Sequence, residues 1–498
     1  MMNHTKLNYG SLLFLLGAAS CLALLLLRAM NVISFGEAHH VVTSGFEEES
    51  LYAMWKYWHG LPVYNDPHQI PFSASYFNWF FYGFYGSIIK WVMTLFALPD
   101  VWLPTVGRIV TLSVVFIGFA ANYYLYTSHK VNDKPLPFLI AICLSALLWF
   151  SPLIGFWAMT VRPDVIALLF DVLAVTFFLK YPSNTVKGVI LASLFCYLSW
   201  SCKQVNVVMP GAIGLFLLLQ QRWRSFIVFS MLMVFGYTLT LALAEDNLLK
   251  SMFFVKTAIP LSFDVFWANL LNFIKKSFPA LILFGMIFTK VTLNPPMRKA
   301  VFQEPMVRLA FCGLVFWVII LLPFSSKIGS ADNYHFIALF FVLLATAGAL
   351  KHLLETEVSF IKPSFAFSGL VSGALVVLCL SQGTLGSIQA QHQNNLALKS
   401  CLDKLPQPIF VVNHYASLPW MNPSPVSFVL AYNYWQDRSA NRPFEHNGIG
   451  GLISQGYFNT LIIPKEFTRN FDGAALNHYH QEAQGCMGYA VLKKKDKA

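Results

Sequence analysis

Apolar runs close to bilayer length recur from residue 11 to residue 381 and leave few architectures open. A spanning helix needs about 20 apolar residues, and about 17 suffice when it stands upright. The runs 11–33, 104–127, 138–155, 164–180, 188–202, 205–220, 225–244, 278–291, 308–323, 334–351 and 364–381 meet or approach that length. Only 11% of residues are charged, 56% are hydrophobic, and the mean hydropathy is +0.57, which excludes an ordinary soluble domain. The pattern predicts a polytopic α-helical membrane protein with about 11–13 transmembrane helices. The first run is too long for a signal-peptide core and lacks a clear cleavage site, so it is expected to stay as the first helix.

The net charge of +11 does not point to nucleic acid, because the Lys and Arg residues are scattered through short loops instead of forming a stripe. Loop charge orients the chain instead. Segment 76–97 is long enough to cross, yet it holds Asn78, Lys90 and many aromatic residues. If it lies at the interface or forms a re-entrant pair, a cytoplasmic N-terminus puts the basic loops inside: His129/Lys130/Lys134, Lys180/Lys187, Arg222/Arg224, Lys290 to Arg308 and Lys351/Lys362. The same arrangement puts outside the loop 34–75, Arg162 to Asp164, Lys203-Gln204, the loop 245–277 and Lys327 to His335.

Beyond residue 381 the long apolar runs stop. Strand-like pieces at Pro408 to Val412, Thr460 to Ile463 and Tyr489 to Leu492 alternate with Pro, Gly and Asn turns. Residues 382–498 therefore read as a small soluble α/β domain, placed outside by the odd number of crossings, behind a transmembrane domain 1–381. Six cysteines fall in or at the ends of apolar helices without metal-ligand spacing. Cys401 and Cys486 stand in the polar region and can pair if it faces an oxidising compartment.

Three consecutive glutamates, Glu47, Glu48 and Glu49, stand just after the first apolar run. Ionisable groups beside a bilayer are costly and mark functional sites by default. Glu49 also fits a solvated helix start, where acidic residues complement the helix dipole. Glu47 and Glu48 precede an aromatic stretch, Leu51 to Trp58, suited to an amphipathic substrate at the interface, and either carboxylate can serve as general base towards a hydroxyl.

The order Glu47, Leu51-Tyr52-Ala53, Gly60, Pro62, Tyr64, Asp66, Pro71 resembles the first external loop of the GT-C superfamily of membrane glycosyltransferases. Arg108, Arg162-Pro163-Asp164, Lys203-Gln204 and Asn333-Tyr334 extend the resemblance to about residue 350. It implies inverting transfer of a sugar from a polyprenyl-phosphate donor to an acceptor hydroxyl on a lipid, glycan or protein, with Glu47 or Glu48 as base. The family often has Asp-Glu where Phe46-Glu47-Glu48-Glu49 stands, and Pro71-Phe72 replaces a double proline. Spacing to Gly60 favours Glu47. Tyr64, Asp66 and Gln204 are the further binding candidates carried by the pattern.

Cations facing the leaving phosphate lower the barrier to such a transfer, and Arg162, Lys203 and Lys327 can converge on the outer face with Asn333, Tyr334 and His335. Asp164 can serve the site or simply pair with Arg162. Asp171, two helical turns further on, is expected to be its buried structural companion. His39-His40 lack a metal-ligand spacing. No cofactor is firmly implied; a divalent metal stays open, with Glu47, Glu48, Asp66 and Asp164 as oxygen donors. A polysaccharide ligase or polymerase should carry its basic residues in a large late external loop, and a transporter should show related halves. The expected location is a bacterial inner membrane with a periplasmic site, although an endoplasmic reticulum enzyme would share this topology.

Overall fold

The computed structural model describes residues 9–33, 37–43, 47–129, 135–181, 186–254, 259–356, 358–412, 415–423, 431–464 and 477–495. Lys6, Gly45, Phe46, Lys130, Lys134, part of the loop 245–277 and the end of the basic tail lie outside them. Each of the eleven apolar runs contains a helix, although 138–155 leaves it after Trp149 and 205–220 enters it at Val208. In chain order the helices are α1 (Tyr9–Val32), α2 (Glu47–Trp58), α3 (Trp79–Leu95), α4 (Leu103–Ser128), α5 (Phe138–Trp149), α6 (Pro163–Lys180), α7 (Val186–Cys202), α8 (Val208–Leu219) and α9 (Trp223–Leu243). They continue as α10 (Asp246–Leu249), α11 (Phe263–Leu293), α12 (Pro295–Gln303), α13 (Pro305–Phe316), α14 (Leu322–Phe324), α15 (Phe336–Thr356), α16 (Val358–Ser381) and α17 (Thr384–Leu402).

Among the described residues, seven helical stretches are long and apolar enough to cross a membrane. Of these, Asp332–Leu354 is 89% buried and forms the centre of the bundle, whereas Trp223–Leu243 is 17% buried and faces outward. The shorter apolar helices α5, α7 and α8 fill the space between them. The tightest helix pair is α1 with α16. A Cβ on Gly10 would lie 2.2 Å from the Lys362 carbonyl oxygen, and one on Gly369 would lie 2.1 Å from that of Leu13, so backbone meets backbone there. Phe14 stacks on Phe365 at 4.8 Å beside this contact.

The C-terminal region builds a four-stranded sheet from β1 (Ile409–Val411), β2 (Thr460–Pro464), β3 (Tyr479–Gln481) and β4 (Tyr489–Lys494), in the order β1-β2-β4-β3. β1 and β2 run parallel, and the other pairs are antiparallel. β3 carries no sequence signal of its own, because two of its three residues are exposed. One face of the sheet packs on Leu398 and Leu402 of α17, and Cys401 is disulfide-bonded to Cys486 across this layer. The other face covers α18 (Ala431–Ser439) and α19 (Gly448–Ser454) and also takes in Phe72 from the first loop.

Candidate functional site

Helix α2 opens with its three glutamates in the first turn, where the helix dipole favours negative charge. Successive helical residues are rotated by about 100°, so the three carboxylates fan out. Glu47 turns to α4 and accepts from Arg108 through Nε at 2.9 Å and Nη2 at 3.1 Å. Both side chains are fully buried. The Val42 N–H donates to Glu47 Oε2 at 2.7 Å, and Arg108 Nη2 also donates to the His40 carbonyl oxygen at 2.7 Å. This pair staples the segment before α2 onto α4. Glu49 turns the other way and accepts from the Tyr82 hydroxyl at 2.5 Å and the Tyr76 N–H at 3.2 Å. Burial pushes its carboxyl up to about 7 despite those two donors. Glu49 is thus no solvated residue: it stands at a helix start as expected, but in a pocket of aromatic rings. Glu48, between them in the chain, is also buried.

A second assembly gathers around Asp164. Pro163 opens α6 and holds Arg162 extended before it, so the Arg162 side chain leaves the helix end sideways. Asp164 in the first turn of α6 accepts from Lys203 Nζ at 2.5 Å and from Asn333 Nδ2 at 2.7 Å, with Arg162 Nε at 3.3 Å. Lys203 follows the end of α7 and lies over the Tyr334 ring at 4.7 Å. The Arg162 guanidinium lies over Trp157 at 4.3 Å and Phe77 at 5.8 Å. Lys327 joins them from the turn after α14, which pairs through Ile328 N–H with the Pro260 carbonyl oxygen. Burial pushes the Lys327 ammonium down. Arg162, Lys203, Lys327, Asn333 and Tyr334 line one cavity of about 80 Å³, with Tyr76 and Phe77 as its loop-side wall.

The two assemblies meet at Tyr76. Its N–H donates to Glu49, and its carbonyl oxygen accepts from Gln204 Nε2 at 2.8 Å. The Val161 N–H lies 3.5 Å from Glu47 Oε1, one residue before Arg162. Tyr64 adjoins this junction, its hydroxyl donating to the Phe77 carbonyl oxygen at 2.9 Å and its ring edge-on to Tyr82 at 5.7 Å. Two candidates lie elsewhere. Asp66 pairs with Lys250 at 2.7 Å, which holds its carboxyl low against the upward push of partial burial. His335 is fully buried between Phe273 and Trp317, at 5.0 and 5.6 Å, outside the cavity lining. Asp171 is buried two turns below Asp164, and both line a narrow void of about 30 Å³.

Several contributors have weak sequence signals. Tyr76 and Tyr82 sit in the aromatic segment 76–97 and read there as interfacial residues, Trp157 carries no signal of its own, and Arg108, an isolated arginine in an apolar run already named with the resemblance, is the clearest pointer among them. His39 and His40 contact the α17 residue His392 at ring separations of 5.7 and 5.8 Å. Among the described residues no group of three or more His, Cys, Asp or Glu side chains is arranged to hold a metal ion.

No protein-family model matches the chain, and no curated protein matches it at a meaningful level. Its fold is similar to that of ArnT from Cupriavidus metallidurans, solved in the apo state, with a TM-score of 0.58 and 12% sequence identity over 95% of this chain and 97% of that one. At 95% coverage the shared fold takes in both the helical bundle and the C-terminal region.

Proposed function

We propose that this GT-C-like membrane protein is a glycosyltransferase that moves a sugar from a polyprenyl-phosphate donor to an acceptor hydroxyl, with inversion, at the membrane's outer face. The observation that carries the reading is the cavity lined by Arg162, Lys203 and Lys327, three cations from distant parts of the chain gathered beside the acidic first loop. Asp164 pairs with Lys203 and Arg162 at 2.5 and 3.3 Å, and among the described residues the cavity lining itself holds three cations and no carboxylate, which suits a leaving phosphate. Arg162 offers a planar fork of donors and Lys203 and Lys327 mobile point charges.

Glu47 is poorly placed to act as base in this arrangement, because the Arg108 guanidinium and the Val42 N–H already occupy both of its carboxylate oxygens. We assign the base to Glu48. It takes the proton of the acceptor hydroxyl as that oxygen attacks the anomeric carbon. The carbon–oxygen bond to phosphate breaks, and its electron pair leaves with the polyprenyl phosphate. Glu47 fixes the helix start, and Glu49 couples it to the cation cavity through Tyr76. In this reading these groups and residues 382–498 face the periplasmic side of a bacterial inner membrane, which the distribution of basic loops along the chain supports.

Membranes carrying wild type, Glu47→Gln, Glu48→Gln or Glu49→Gln, supplied with a mixed pool of polyprenyl-phosphate sugars, test the assignment. Glu48→Gln should abolish transfer while protein accumulates normally. Full transfer by Glu48→Gln removes it as base, and no donor consumption by the wild type removes the transferase reading.

A further inference from the structure

A groove of about 540 Å³ opens between the end of α1 and the first turns of α17, lined by Asn31, His40, Ile388, Gln389, His392 and Gln393 among others. It lies behind the acidic turn, because His40 Nε2 is 3.0 Å from Arg108 Nη1 and Arg108 holds Glu47. His40 is 2% exposed and, among the described residues, its Nδ1 has no hydrogen-bond partner. His40 Nε2 stands 3.0 Å from both Arg108 Nη1 and the Val32 carbonyl oxygen, which fixes the ring at the back of the groove. Burial and the adjacent Arg108 push this imidazole down to about 3, so the ring is neutral at any working pH. His392 Nδ1 accepts from the His39 N–H at 3.2 Å, which leaves the proton of the neutral His392 ring on Nε2. Gln389 is paired with Asn31 at 2.9 Å, while Gln393 is exposed at the rim.

The lining therefore offers neutral imidazole and amide groups, an apolar patch at Ile388, and neither Lys, Arg nor carboxylate. The charged groups nearby face other ways: Glu37 reaches His39 at 3.2 Å, and Arg108 is committed to Glu47. Such a surface matches a ligand whose hydroxyls both donate and accept and whose ring has an apolar face. A phosphate would find no cation here. We propose that the groove is a carbohydrate subsite that takes an uncharged sugar ring of the acceptor. The proposal rests on the transferase reading above for the word acceptor, and it makes the acceptor a glycan or glycolipid instead of a bare lipid or protein.

The test uses the full-length protein, labelled with ¹⁵N-histidine in a detergent free of sugar, and follows the His40 and His392 ring nitrogens by NMR. His392→Gln supplies the assignment. Methyl glycosides of glucose, galactose and N-acetylglucosamine, then inorganic phosphate, then vesicles of phosphatidylglycerol are added in turn. At least one glycoside should move both rings saturably, with Gln393→Ala weakening it roughly tenfold, and phosphate and vesicles should leave them unmoved. Shifts caused by phosphate or by the anionic vesicles but by no glycoside would make this an anion site and overturn the proposal, as would the absence of any shift. The readout needs no sugar transfer. Loss of transfer with glycoside binding intact would fail the catalytic reading and leave the subsite standing.

Discussion

Glu49 sits in the acidic turn with its carboxyl held near 7, against 4.5 for an ordinary glutamate. A carboxyl raised by folding binds its proton more tightly in the folded than in the unfolded state. Its contribution to stability is therefore full below about 4.5, fades as pH rises to 7, and stays lost above that. Glu49→Gln keeps the acceptor for Tyr82 and Tyr76 and removes the charge. It should raise the melting temperature at pH 8, by a free energy on the order of 2 kcal/mol, and change little at pH 5. Equal effects at both pH values would mean that the carboxyl is ionised throughout. The Arg108–Glu47 pair is fully buried on both sides. Breaking a buried pair costs about 3–5 kcal/mol because the survivor is left charged in a dry site. Arg108→Met should therefore collapse accumulation, and Arg108→Met with Glu47→Leu should restore much of it, as measured by fluorescence-detected chromatography of tagged protein. No restoration would mean that the pair does more than hold the loop.

The helices were the legible part of this chain. Each apolar run in the list from 11–33 to 364–381 is mostly helical, because periodicity hardly matters when lipid and core are both apolar and length alone marks the segment. Packing was less legible. The α1–α16 contact depends on Gly10 meeting the Lys362 backbone and Gly17 meeting that of Gly369, residues far apart in the chain, which no local pattern reveals. Gly369→Val should loosen that pair, since its Cβ would meet backbone that has no freedom to yield, and thermal unfolding in detergent should fall by several degrees. In the site, Arg162, Asp164, Lys203, Asn333 and Tyr334 could be named from the sequence because breaks between helices expose them as short polar motifs. Asp66 and His335 carry equally clear motifs, yet tertiary contacts draw one towards Lys250 and bury the other among aromatic rings. Glu49 was read as solvated since nothing local announces the tyrosines that enclose it.

At the scale of the whole molecule, the C-terminal region grips the first loop at both ends. Before α2, the Val41 N–H donates to Gln391 and Asn395 donates to the His39 carbonyl oxygen, at 3.1 and 2.6 Å. After it, His68 meets Asp437 at 2.9 Å, and Phe72 is buried beside Tyr434 and Phe444. The Cys401–Cys486 bond ties α17 to the sheet that makes these contacts. Removing such a bond typically costs about 2–5 kcal/mol. A Cys401→Ala, Cys486→Ala double variant should accordingly lower the melting temperature and slow transfer together; a lowered melting temperature with unchanged transfer would separate the C-terminal region from the site. The most direct measurement is binding of polyprenyl phosphate to purified wild type, Arg162→Gln, Lys203→Gln, Lys327→Gln and Glu48→Gln. The account predicts at least a tenfold loss of affinity for the three cation variants and unchanged binding by the transfer-dead Glu48→Gln. Wild-type affinity in all three cation variants would contradict it.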